Sequence, residues 1–174
     1  MSTVFTGVSK GDVVLAASLT ALGVILMVAN MTGAESAIRI DSQSWLLVPV
    51  FMAATLPILW RRRNLLAVYA VTLTALAVHV LAFGWVVRCG AGLPLAFALA
   101  YASGRLGNRR TGLIGLVAAF GVEFLVLVRD SAAGLEIIGA TAVMAAAAWG
   151  VGAWLRKRSG VGAVVPAAPV QSFV

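Results

Sequence analysis

The chain is short of the residues from which a soluble surface or an active site is built. Charged residues make up 11% of its 174 positions, and only six of them are acidic. A soluble domain of this length needs a charged exterior, which so few charges cannot supply. Cys89 is the only cysteine, so an intrachain disulfide and a cysteine metal cluster are both excluded. His79 is the only histidine, which rules out a His-x-x-x-His ligand pair. There is no Gly-rich phosphate loop, no nucleophile–base constellation and no pair of carboxylates on one helical face. The expectation is a protein that is not an enzyme and needs no cofactor or metal.

What is present is apolar. Hydrophobic residues account for 61% of the chain and the mean hydropathy is +1.02. The net charge of +7 suggests a nucleic-acid partner at first sight. The basic residues, however, cluster between apolar runs, which is how membrane topology is written, so no nucleic-acid partner is expected. The chain turns on Pro57-Ile58-Leu59-Trp60-Arg61-Arg62-Arg63-Asn64. Three adjacent guanidiniums cannot sit in hydrocarbon, while nearly everything on either side of them can. The chain therefore leaves a membrane here and returns to it within a few residues. Trp60 suits the headgroup level, where its ring stays apolar and its N–H wet.

Six apolar runs follow from this reading: Gly11 to Met31, Trp45 to Trp60, Leu65 to Val87, Gly90 to Gly104, Thr111 to Val128 and Leu135 to Leu155. Ser9 and Asp12 have the spacing of a capping box at the start of the first. That run is too long for a signal-peptide core and is read as a retained helix. Pro49 and Pro57 predict a bent second helix. The fourth run is the weakest, at the low end of what crosses about 30 Å of hydrocarbon. Placing the arginine triplet in the cytoplasm leaves Lys10, Arg61, Arg62, Arg63, Arg105, Arg109, Arg110, Arg156, Lys157 and Arg158 inside. Arg39, Arg88 and Arg129 then lie outside, a split of ten to three among the 13 basic residues. The expected fold is all-α: a six-helix transmembrane domain over residues 11–158, a short cytoplasmic N-terminus over 1–10 and a disordered cytoplasmic tail over 159–174, with both termini inside a cell membrane. The inner basic residues from Arg61 to Arg158 serve as topology signals or as contacts to membrane lipids.

Lipid tails are as apolar as leucine, so helix association must rest on close packing of small residues and a few interhelical hydrogen bonds. Gly112, Gly115 and Ala119 form one such stripe, and Ala142, Ala146 and Gly150 another. Both are expected to face inward, with a homodimer face as the alternative. His79 and Glu123 are the ionisable side chains deepest inside predicted spans, an expensive placement that marks a candidate site. At about 1.5 Å per residue they lie at similar depth, about 22 Å and about 18 Å from the inner helix ends. They are therefore a candidate intramembrane polar pair, able to sense protons or a polar ligand.

The stretch Ala54-Thr55-Leu56-Pro57-Ile58-Leu59-Trp60-Arg61-Arg62-Arg63-Asn64-Leu65-Leu66-Ala67-Val68 resembles the membrane-embedded N-terminal input region of actinobacterial sensor histidine kinases of the two-component, nitrate/DesK-like class. Ala98-Leu99-Ala100-Tyr101-Ala102 with Arg105, Arg109 and Arg110 is similar to the fourth helix and basic turn of that region, and Asp12 at the head of the first helix fits too. The resemblance covers about Asp12 to Arg158. Leu65 departs from it, since the family often has proline there. The family continues into a phosphoacceptor helix and an ATP-binding domain, whereas here the only histidine lies within a predicted span. The resemblance implies a sensor-like or regulatory membrane module that signals through a partner protein and does not autophosphorylate. A small transporter or channel-like subunit is the alternative, motivated by His79 and Glu123. A structural subunit is a third, motivated by the small-residue stripes.

Overall fold

The computed structural model describes residues 8–33 and 39–160. They form six α-helices: α1 Lys10–Thr32, α2 Leu47–Thr55, α3 Leu65–Phe83, α4 Cys89–Leu106, α5 Arg109–Leu127 and α6 Ile138–Gly160. A 3-10 segment, Leu56–Trp60, continues α2, and a 3-10 turn, Leu135–Ile137, leads into α6. The described residues contain no strand, only one isolated bridge between Val86 and Asp130. Glu35 and most of the expected tail lie outside the described residues.

Local sequence explains the element boundaries. The capping box at α1 is formed: Ser9 Oγ accepts from the Asp12 N–H, and the Asp12 carboxylate accepts from the Ser9 N–H. Asn64 and Asn108 cap α3 and α5 through their side-chain oxygens. Pro57 cannot donate to the preceding turn, and the second helix changes there from α to 3-10 geometry. Thr72 of α3 donates its hydroxyl to the Ala54 carbonyl at 3.0 Å, supplying that acceptor from a neighbouring helix. Two boundaries correct the sequence reading. The third run does not continue to Val87, because α3 stops at Phe83 and residues 84–88 cross the end of the bundle as irregular chain. The sixth helix does not stop at Leu155, so Arg156, Lys157 and Arg158 lie on its last turns.

Helix α4 is the axis of the bundle. It packs against α1, α5 and α6, while α2 lies between α1 and α3, and α3 packs on α5. Nine of its 18 residues are buried, among them Ala91, Gly92, Ala96, Ala100, Ser103 and Gly104. This placement accounts for its weak hydropathy. A helix enclosed by protein needs small residues for close approach rather than large apolar ones for lipid. A Cβ on Gly104 would run into the backbone of Trp149 and Ala153, and one on Gly152 into the backbone of Tyr101 and Arg105. The α4–α6 crossing is thus a backbone-to-backbone contact.

The small-residue stripe expected on α5 is inward: Gly112, Gly115 and Ala119 are all buried. The one expected on α6 is not. Ala146 is exposed and a Cβ on Gly150 would meet nothing within 4 Å, while Thr141, Ala145 and Gly152 form the buried face. An Ala- and Gly-rich helix is small on every side, so residue size alone does not select the face that packs. The outside of the bundle is apolar, with Ile25, Val117 and Val143 largely exposed and Leu81 78% exposed.

Candidate functional site: a buried arginine node at one end of the bundle

The helices alternate in direction, which gathers the basic turns at one end. The other end, here the distal end, carries the α3–α4 and α5–α6 connections. Its centre is the segment Gly84-Trp85-Val86-Val87-Arg88, held from three directions. Asp41, from the chain before α2, accepts from the Trp85 N–H at 3.1 Å, and its own N–H donates to the Trp85 carbonyl at 2.8 Å. Asn30 of α1 brackets Val87, donating to its carbonyl at 2.8 Å and accepting from its N–H at 3.0 Å. Asp130, just past α5, accepts from the backbone N–H groups of Arg88 and Cys89, and so caps the start of α4 with a negative charge. Its other oxygen accepts from Ala132 and Ala133, both at 2.9 Å. Gly84 has φ +63°, and a Cβ there would lie 2.6 Å from an Asp41 carboxylate oxygen, so both conformation and space demand glycine.

Arg88 is the largest fully buried side chain described. Its Nε donates to His79 Nδ1 at 3.0 Å, one terminal nitrogen to the Arg129 carbonyl at 2.7 Å, and the other to the Gly84 carbonyl at 2.6 Å. Because Arg88 is the donor, His79 Nδ1 carries no proton, and the imidazole is the neutral tautomer with its proton on Nε2. The imidazole sits edge-on between Phe51 of α2 and Phe83 of α3, with ring centroids at 5.5 and 4.9 Å. The node therefore joins α1, α3, α4, the end of α5 and the chain before α2. A buried cation of this kind is costly unless fully hydrogen-bonded, and removing a partner is costlier still. Nearer the surface, Arg39 pairs with Asp41 at 2.8 Å and lies over the Trp85 ring. The Arg39 hydrogen bonds hold the Asp41 carboxyl below its ordinary range.

The expected pair does not form. His79 is bound to a cation, Arg88, and no hydrogen bond joins it to Glu123. Both Glu123 carboxyl oxygens are buried without a hydrogen-bond partner among the described residues. Rise per residue sets the depth of a side chain but not the rotation of its helix, and the partner that His79 meets is Arg88. The Arg88–Asp130 link spans 42 residues between two connections, and no local spacing announces it. Cys89, beside the node, is half-buried with a free thiol.

The basic end holds a second polar cluster. Asp12 is fully buried and pairs with Arg61 at 2.8 Å and Arg62 at 2.7 Å. Two residues of the triplet are thus anchored to the head of α1, and Arg63 beside them is exposed. Arg105 donates to Ser159 at 3.0 Å, and Arg158 stacks on Trp154 at 3.9 Å. Arg109, Arg156 and Lys157 line a groove between α5 and α6, and Arg110 is exposed.

Four helical segments, Lys10–Thr32, Leu65–Phe83, Arg109–Leu127 and Leu135–Ser159, are long and apolar enough to cross a membrane. With the exposed apolar exterior they define an all-helical chain built for a membrane. No protein-family model, no curated protein and no solved structure matches it.

Proposed function

We propose that the chain is an integral membrane module of six spans with both termini in the cytoplasm, and that it acts in sensing or regulation through a partner protein rather than by chemistry. The count of six adds α4 and the bent α2 to the four membrane-length helices. Helix α4 is enclosed by α1, α5 and α6, where protein replaces lipid as its surroundings, and α2 is continued by the 3-10 segment to Trp60 while packed between α1 and α3. The alternation that gathers the basic residues at one end supports the orientation. A reporter active only in the cytoplasm should work when fused after Arg110 and be silent after Ser131; activity at Ser131 would remove the six-span arrangement.

The observation that carries the sensory reading is the Arg88 node. A polar centre joining five segments at the distal face is attached, through the Asp130 cap, to the start of α4. Helix α4 is in turn packed backbone-to-backbone on α6, which ends in Arg156-Lys157-Arg158 at the opposite face. A change in charge or occupancy at the distal surface thus has a rigid route to the cytoplasmic end. The resemblance to sensor-kinase input regions points the same way. Affinity purification of the full chain from native membranes tests this. A stoichiometric partner protein is expected with the wild type and less of it with Arg88→Gln. Recovery of no partner, or solute flux by the chain alone in liposomes, would overturn the reading, and flux would favour a transporter.

A further inference from the structure

The groove between α5 and α6 at the basic end has a volume of about 600 Å³ and is lined by Arg109, Leu113, Trp149, Gly150, Arg156 and Lys157, among others. Three cations converge on it. No ion pair among the described residues involves any of them, and Nη1 of Arg156 is buried with no hydrogen-bond partner. A buried, unsatisfied guanidinium nitrogen is costly and calls for an acceptor. No described residue supplies it: Asp12 is the described acid at this end, and Arg61 and Arg62 already hold it. The walls are fixed. Trp149 donates its indole N–H to the Gly112 carbonyl at 2.9 Å, and the Trp154 ring is stacked by Arg158. The floor is apolar and open, since a Cβ on Gly150 would meet nothing within 4 Å. One turn toward the bundle centre it continues past the exposed Val117 and Ala146.

We infer that this groove is a binding site for an anionic glycerophospholipid. The phosphate is held by Arg109, Arg156 and Lys157, and an acyl chain lies along Gly150 between Leu113 and Trp149. A soluble phosphate ligand would use the cations but not the apolar floor, and the floor leads onto the face that α5 and α6 turn to the membrane. Guanidinium groups suit phosphate because their donors are forked and always charged. The inference rests on the basic end lying at a membrane surface, but not on the orientation or the partner proposed above.

The test is native mass spectrometry of the detergent-solubilised full chain titrated with phosphatidylglycerol or phosphatidylcholine, at salt high enough to screen exposed charges. The wild type should retain phosphatidylglycerol in preference to phosphatidylcholine. Arg156→Gln removes a phosphate donor, and Gly150→Leu fills the floor without changing charge, from a position where a Cβ meets nothing within 4 Å. Each should weaken phosphatidylglycerol retention about fivefold or more, fivefold corresponding to the ~1 kcal/mol ascribed to one basic residue near an anionic surface. Arg110→Gln makes the same charge change outside the groove and should alter retention less than about twofold under screening. An equal loss in Arg110→Gln and Arg156→Gln would reduce the site to diffuse charge and overturn the inference. So would an unchanged Gly150→Leu variant, or displacement of the lipid by soluble glycerol phosphate. Reporter fusions and partner recovery are independent of all these outcomes, so the failure of one reading leaves the other to be judged separately.

Discussion

Replacing Asp130 by alanine should be the most damaging single change at the distal end. The carboxylate is 2% exposed and accepts four backbone N–H groups, from Arg88, Cys89, Ala132 and Ala133. Ala132 is exposed, so water can replace its partner, and Ala133 is intermediate. The Arg88 and Cys89 donors start a helix inside the bundle and have no such recourse. A buried donor left unsatisfied costs about 1–3 kcal/mol. Two such donors account for about 2–6 kcal/mol, and the loss of a negative charge near the buried Arg88, to whose guanidinium it forms no ion pair, adds a smaller part. The expected destabilisation is therefore about 3–5 kcal/mol for Asp130→Ala. Asp130→Asn keeps one acceptor oxygen but turns an amide toward the remaining donors, so about half that loss is expected. Unfolding of the full chain in mixed micelles measures the free energy. Cys89, the only cysteine, supplies a local probe without further mutation. Its labelling by a thiol reagent should accelerate in Asp130→Ala as the first turn of α4 frays. A loss below about 1 kcal/mol with unchanged Cys89 labelling would refute the argument that this carboxylate secures α4 and its arginine.

Other outcomes follow from the same geometry. His79→Leu and Glu123→Gln should be additive in stability within about 0.5 kcal/mol, because no bond joins them, while His79→Leu and Arg88→Met should couple. A double-mutant cycle showing the reverse would restore the pair expected from sequence. Gly84→Ala should destabilise by about 1–2 kcal/mol from the left-handed backbone alone, with a further loss from the clash with Asp41; thermal unfolding in detergent would show it. Asp12→Asn should loosen both α1 and the arginine turn, and faster proteolysis after Arg61 or Arg62 in the variant would be the sign. The Arg39–Asp41 contact belongs to a carboxyl whose folded value is depressed. Its contribution is present above the ordinary carboxylate range and lost as pH falls through the lowered value. Trp85 fluorescence should follow that loss on acidification and stay flat between neutral and mildly alkaline pH.

The features that local chemistry determines were legible in the sequence. The Ser9–Asp12 capping box, the break at Pro57, the apolar runs and the inward face of Gly112, Gly115 and Ala119 each depend on residues within a turn or two of one another. Hydropathy marked which helices meet lipid, and it was weakest where lipid is absent, on the central α4. Tertiary structure alone decided the rest. Hydropathy does not report how far a helix is rotated about its axis, and α6 is small on every side, so packing on Gly104 chose Gly152 rather than Gly150 as the point of contact. The same freedom left the partner of His79 open, since rise per residue sets depth and not azimuth, and the fold supplied Arg88. Asp12 and Asp130 illustrate the larger limit. Each lies far along the chain from the arginine it serves, and a buried charge takes whichever partner the fold brings within hydrogen-bonding distance.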